Sequence, residues 1–180
     1  MRATQRGLVI MRLVNPGEVR KAETCEPGEL VRFDANGGGA LLAVVLEKLV
    51  GKNTYLVLSS NHQIPAFSIL PIGYEHRCFS YGAEWVMELL PDEETFPGNA
   101  EGADSAGEIR LFDTGITSII ANMLDQRMNR KLILLNMISY RPANEERYQG
   151  ARVRSWKIWA NEEERLRTGG RPIFSFPQQQ

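Results

Sequence analysis

Two stretches of this chain echo one another, and that constrains its architecture more than any other feature. Gly28-Glu29-Leu30-Val31-Arg32-Phe33-Asp34 returns as Gly107-Glu108-Ile109-Arg110-Leu111-Phe112-Asp113. With a one-residue shift, Leu41-Leu42-Ala43 then faces Ile119-Ile120-Ala121, while Leu46-Glu47 and Tyr55-Leu56-Val57 face Leu124-Asp125 and Ile133-Leu134-Leu135. A repeated apolar order implies a repeated way of burying it, so one structural unit used twice is the expectation. The competing account is chance, since Leu, Ile, Gly and Glu are common residues. The echo concerns architecture and assigns no activity.

Between the two stretches lies a run from Pro91 to Gly107 that is rich in proline, glycine and acid and nearly free of apolar anchors. Such composition reads as an exposed connection. It predicts an N-terminal β unit over 1–98 and a C-terminal β unit over 99–180, or one pseudo-symmetric domain made of both. In the first unit Glu29 to Ala35 reads as a strand, Asn36-Gly37-Gly38 as a hairpin turn, Ala40 to Leu49 as a second strand and Thr54 to Leu58 as a third. Ala66 to Leu70 and Cys78 to Leu89 add two more. The strand order from Gly28 to Leu58 resembles small barrels of the SH3-like kind, a likeness of fold that transfers no site. The competing assignment makes helices of 40–50 and 116–128, because Leu41, Leu42, Val45, Leu46 and Leu49 fall at helical spacing, as do Ile116, Ile119, Ile120, Met123 and Leu124. The expected class is therefore mainly β or α+β, barrel- or sandwich-like, with one or two helices. The alternative is α/β with two strand-helix-strand repeats. Asn161 to Arg167 is the clearest short helix, with Asn161 as its N-cap, and Arg171 to Phe176 follows as an edge strand.

The longest apolar run, Ala40 to Leu46, is too short to span a membrane. Arg12 interrupts the apolar stretch that begins at Gly7, so no export signal is read and a cytoplasmic location is expected. On that basis Cys25 and Cys78 are expected as reduced, separate thiols, outside any metal-ligand spacing. The net charge of −1 conceals a division: ten acidic residues and one basic residue occupy Glu84 to Asp125, whereas eleven basic and five acidic residues follow from Gln126. Either the two surfaces meet within the fold or between copies, or the basic part meets an anionic partner.

The candidate chemistry is sparse. His76 and Cys78 share a face if their segment is extended, as a nucleophilic thiol and its base require; a structural histidine beside a buried cysteine is the plainer account. His62 lies in a polar loop and pairs with an aspartate in the rival hydrolase or transferase reading. Asp34 and Asp113 hold matching places in the echo and, under pseudo-twofold symmetry, converge as an acid-base pair or hard-cation site; otherwise each opens its own turn. Asn36-Gly37-Gly38-Gly39 lacks the remaining residues of a phosphate loop and reads as a turn. Arg152, Arg154, Trp156 and Lys157, with Tyr148 upstream, mix cations and rings as single-stranded nucleic-acid surfaces do. The leading expectation is a non-catalytic binding or assembly module that self-associates or binds a protein partner, with no cofactor and no metal. The hydrolase or transferase and the single-stranded nucleic-acid binder are its alternatives.

Overall fold

The structure, a computed structural model, describes residues 17–34, 39–60, 64–73, 76–92, 95, 104–124, 130–143 and 150–177. Thirteen strands are defined among them: β1 (Glu18–Lys21), β2 (Leu30–Asp34), β3 (Ala40–Leu49), β4 (Lys52–Val57), β5 (Ser68–Gly73), β6 (Arg77–Gly82), β7 (Val86–Leu89), β8 (Ile109–Leu111), β9 (Thr117–Leu124), β10 (Arg130–Asn136), β11 (Ala151–Val153), β12 (Trp156–Trp159) and β13 (Phe174–Phe176). One 3-10 turn (Ala22–Thr24) and one short α-helix, α1 (Glu162–Leu166), complete the description. Asn161 caps α1, its side chain accepting from the Glu164 amide at 2.8 Å.

The strands form two sheets. The larger runs β1-β6-β2-β3-β4-β5-β9-β8-β11 with β10 added beside β9; the smaller runs β13-β12-β7. The larger sheet is not closed into a barrel, and the class is mainly β and sandwich-like. The strand reading of Ala40 to Leu49 holds as β3, and the competing helix does not form there; in the other run, Thr117–Leu124 is the strand β9 rather than a helix, and 125–128 lie outside the described residues. Their helix-like runs have a physical cause. Leu42, Val44 and Leu46 enter the core beneath the small sheet, while Leu41, Ala43 and Val45 enter a second cluster with Phe33, Tyr55 and Val57. A strand buried on both faces loses its polar alternation, and period then no longer separates it from a buried helix. In β9, Ile119 and Ala121 likewise join the main core and Ile120 joins Phe112 and Leu134.

Each echoing stretch begins with the same turn. Gly28 and Gly107 take φ values of +92° and +97°, and the following amides, Glu29 and Glu108, donate back to Glu26 and Ser105. The glycine amides then donate to Val45 and Ile120, and those residues' amides return to Glu29 and Glu108, all within 2.8–2.9 Å. Hairpins β2-β3 and β8-β9 follow, and β4 and β10 lie on the far sides of β3 and β9. Trp85 Nε1 donates to the Gly28 carbonyl and Trp156 Nε1 to the Gly107 carbonyl, each at 2.7 Å. The small sheet departs from these two tryptophans. In the β7-β12 pair Met87 stands opposite Ile158, each two residues past its tryptophan, flanked by Glu88 opposite Lys157 and Val86 opposite Trp159.

The glycines face different neighbours. A Cβ at Gly107 would strike the Phe67 ring and approach Phe176 to 2.8 Å, whereas one at Gly28 would meet the Tyr140 hydroxyl at 3.0 Å. Phe67 and Tyr140 are themselves non-glycine residues at φ +57°, a backbone region costly for aromatic side chains. Left-handed backbone alone costs an alanine about 1–2 kcal/mol, and overpacking adds about 1–3. Gly107→Ala is therefore expected to destabilise by about 2–5 kcal/mol and Gly28→Ala by about 1–2 kcal/mol. Urea denaturation of the two variants measures the difference, and equal losses would contradict the packing described.

Candidate functional site

Cys78 lies in β6 and projects into the second apolar cluster, 3% exposed. Its sulfur faces Cys25 Sγ at 3.4 Å and the Arg20 carbonyl at 3.8 Å. The expectation of separate thiols gives way to an adjacent, unbridged pair, brought together because β1 and β6 are neighbours and Cys25 follows β1 through one 3-10 turn. The hydrogen bond between them pushes Cys25 up, reinforced by burial, and lowers Cys78. A thiol sealed in an apolar core offers substrate no approach, which opposes the nucleophile role. His76, half-buried, precedes β6, and its carbonyl accepts from the Ala22 amide. His62 lies outside the described residues, as do Tyr148 and 36–38 of the glycine turn.

Asp34 ends β2 opposite Ala40, and Asp113 stands in the β8-β9 turn, where the Gly115 amide donates to the Phe112 carbonyl. Both are exposed, each in its own hairpin. Among the described residues no group of three or more His, Cys, Asp or Glu is placed to hold a metal ion.

The basic stretch divides between two sheets. β11 ends at Val153 and β12 begins at Trp156, so Arg152, Arg154, Trp156 and Ile158 do not share the face of one strand. Arg152 is 5% exposed and grips Glu108 through two bonds of 2.6 and 2.7 Å. Trp156 is fully buried, its ring stacked against Phe176 with centroids 5.5 Å apart. Only Arg154 and Lys157 of the four keep partial exposure. Among the described residues the acidic and basic stretches meet within the chain at the buried pair of Arg152 with Glu108 and at the part-exposed pair of Arg165 with Glu88. Arg110, inside the acidic stretch, is also buried, bonded to Asp104 and to the Gly150 carbonyl. Losing one partner of such a pair leaves a buried charge uncompensated.

None of the described sequence candidates lines the cavity beside Tyr140. It has a volume of about 430 Å³, with Leu46, Ile69, Met123 and Leu135 supplying apolar wall and Glu47 and Arg141 opposite charges. Thr54, Ser139 and Tyr140 add hydroxyls. The surroundings of the two echoing stretches differ at this cavity. Two residues past Ile120, the Asn122 amide donates to the Phe67 carbonyl at 2.7 Å and β9 runs parallel to β5. Two residues past Val45, Glu47 instead stands on the cavity wall with Tyr140 and Arg141. Nothing in the sequence marks Tyr140-Arg141-Pro142 as a wall; the backbone bridge of Leu135 with Pro142 places it there.

No family model, curated protein or solved structure matches this chain.

Burial raises the Tyr140 phenol above its ordinary value of 10.0. The fold thus favours the neutral ring, a contribution intact below the unfolded value and lost as pH rises through the folded one. Stability is expected to fall above about pH 10, less steeply in Tyr140→Phe, as followed by tryptophan fluorescence during alkaline titration. Thiol titration under denaturing, non-reducing conditions is expected to find two free groups; none would show that the adjacent sulfurs had bridged.

Proposed function

We propose that this chain is a non-catalytic binding module, built from one β unit used twice, that receives its ligand where the two copies differ. The carrying observation is the open cavity of about 430 Å³, lined by Leu46, Ile69, Met123 and Leu135 together with Glu47, Tyr140 and Arg141. A concave apolar surface with a few convergent polar groups is the usual form of a ligand site. Tyr140 adds a strained backbone at that site, a cost that sites of recognition tolerate. The hydrolase or transferase reading has less support, because Cys78 is sealed and Asp34 and Asp113 stand in separate hairpins. The nucleic-acid reading loses Arg152 and Trp156 to the interior, so the phosphate and stacking contacts it needs are not available together.

The test is a titration of the full chain with N-acetyl amino-acid amides, which stand in for the side chains of a partner, followed by methyl NMR. Saturable shifts are expected at Ile69, Met123 and Leu135, and Ile69→Trp should abolish them by filling the space. Shifts scattered over the surface, or the same shifts in Ile69→Trp, would overturn the reading. Turnover of a simple activated ester lost in Cys78→Ser would favour the enzyme instead.

A further inference from the structure

The two tryptophan-anchored strands of the small sheet differ in one respect. Beyond β12 the Ile158 carbonyl accepts from the Ile173 amide at 2.7 Å, and β13 adds a third strand with Phe174 opposite Ile158 and Phe176 opposite Trp156. Their rings close over the anchor: Phe176 lies 5.1 Å from Phe67 and 5.5 Å from Trp156, and Phe174 lies 5.4 Å from Trp156. Beyond β7, no strand pairs with the second edge among the described residues. Yet Met87 holds the place of Ile158, Trp85 that of Trp156 and Tyr140 that of Phe67, judged by the turn glycines they serve. Because the Leu90 amide donates to the carbonyl of Ser155, the residue just before β12, the alternation of an antiparallel ladder turns the Met87 N–H and C=O toward the vacant edge.

We propose that the β7 edge, Trp85 to Leu89, is a strand-acceptor for an extended, cationic peptide of a partner protein that carries aromatic residues at alternate positions. The inference rests on the binding-module reading and names its partner class. The chain's own β13 supplies the template for the chemistry: two phenylalanines separated by one residue, with Arg171 just upstream. Charge selects the partner. From Glu84 to Asp104 the sequence has seven acidic residues and no basic one; Glu88 and Asp104 already meet Arg165 and Arg110, and the acidic excess of the remainder means that two copies meeting through this edge would oppose like charges, whereas a cationic strand would be drawn in. Addition of a strand takes its affinity from main-chain bonds and its selectivity from alternate side chains. An open edge without a guarding proline or lysine is otherwise a liability, and Val86-Met87-Glu88-Leu89 has neither.

The experiment is fluorescence anisotropy of the full chain with a labelled peptide copying Arg171 to Pro177. Saturable binding is expected, several-fold weaker at higher salt. N-methylation of the peptide at its Ile173 position removes the donor to the Met87 carbonyl and should weaken binding about tenfold, as should serine at both phenylalanine positions. Met87→Pro removes the outward donor of an edge strand, where proline is tolerated, and should do the same. If that variant unfolds, amide shifts confined to Val86–Leu89 in the parent chain serve instead. Absence of binding, shifts confined to β12 and β13, or binding seen only after deletion of 1–16 would each overturn the proposal. An inert β7 edge beside a cavity that still takes its amide probe would overturn this inference alone, leaving the binding-module reading in place.

Discussion

The fold depends on two indole groups hydrogen-bonded to two glycine carbonyls. Each carbonyl belongs to a turn that only a residue tolerant of φ near +90° can make without strain. Each indole belongs to the start of a strand of the small sheet or the residue before it. The bonds therefore fasten one sheet to the other at the points where the echoing stretches begin. Trp156 is fully buried, and its N–H would carry a desolvation cost of about 1–3 kcal/mol if the carbonyl moved away. The same turns place Glu29 and Glu108 in the interior, where Arg20 and Arg152 neutralise them.

From that arrangement the rest follows by packing. With both anchors in place, β7 and β12 meet in register, Met87 opposite Ile158. The Phe67 half is then filled by Phe174, Phe176 and Trp156, and its seam is joined by the β5-β9 pair. The Tyr140 half has a hydroxyl where the other has a buried ring, and Glu47 and Arg141 where the other has strand pairing. Two charged side chains and a phenol near solvent are costly to seal without complete hydrogen bonding, so the Tyr140 side keeps a cavity where the Phe67 side has a core. The binding reading and the β7 inference both arise from this one asymmetry.

Much of the first unit was legible in the sequence. The meander from Leu30 to Val57 was visible because Asn36-Gly37-Gly38 and Gly51 punctuate it. The second unit was ambiguous, because Ile116 to Leu124 is apolar on both faces and its period fits a helix as readily as a doubly buried strand. The basic stretch misled for a related reason. Alternation along Ala151 to Trp159 assumes one continuous strand, and the chain changes sheets at Arg154 and Ser155. Composition also could not show that Arg152 faces a buried glutamate, since Glu108 lies forty-four residues away.

What the sequence determined alone was local: the turns that need glycine, the capped helix at Asn161, and the strands that alternation or turn residues delimit. These depend on short-range sterics and hydrogen bonding, which neighbouring residues decide. Tertiary structure decided which cations are buried, which cysteines are adjacent and which half of the echo keeps a cavity. Those outcomes depend on contacts between residues tens of positions apart, and similar Gly-Glu and Phe-Asp signals precede both a filled seam and an open one. The difference lies in what packs over each glycine, Phe67 with Phe176 on one side and Tyr140 on the other.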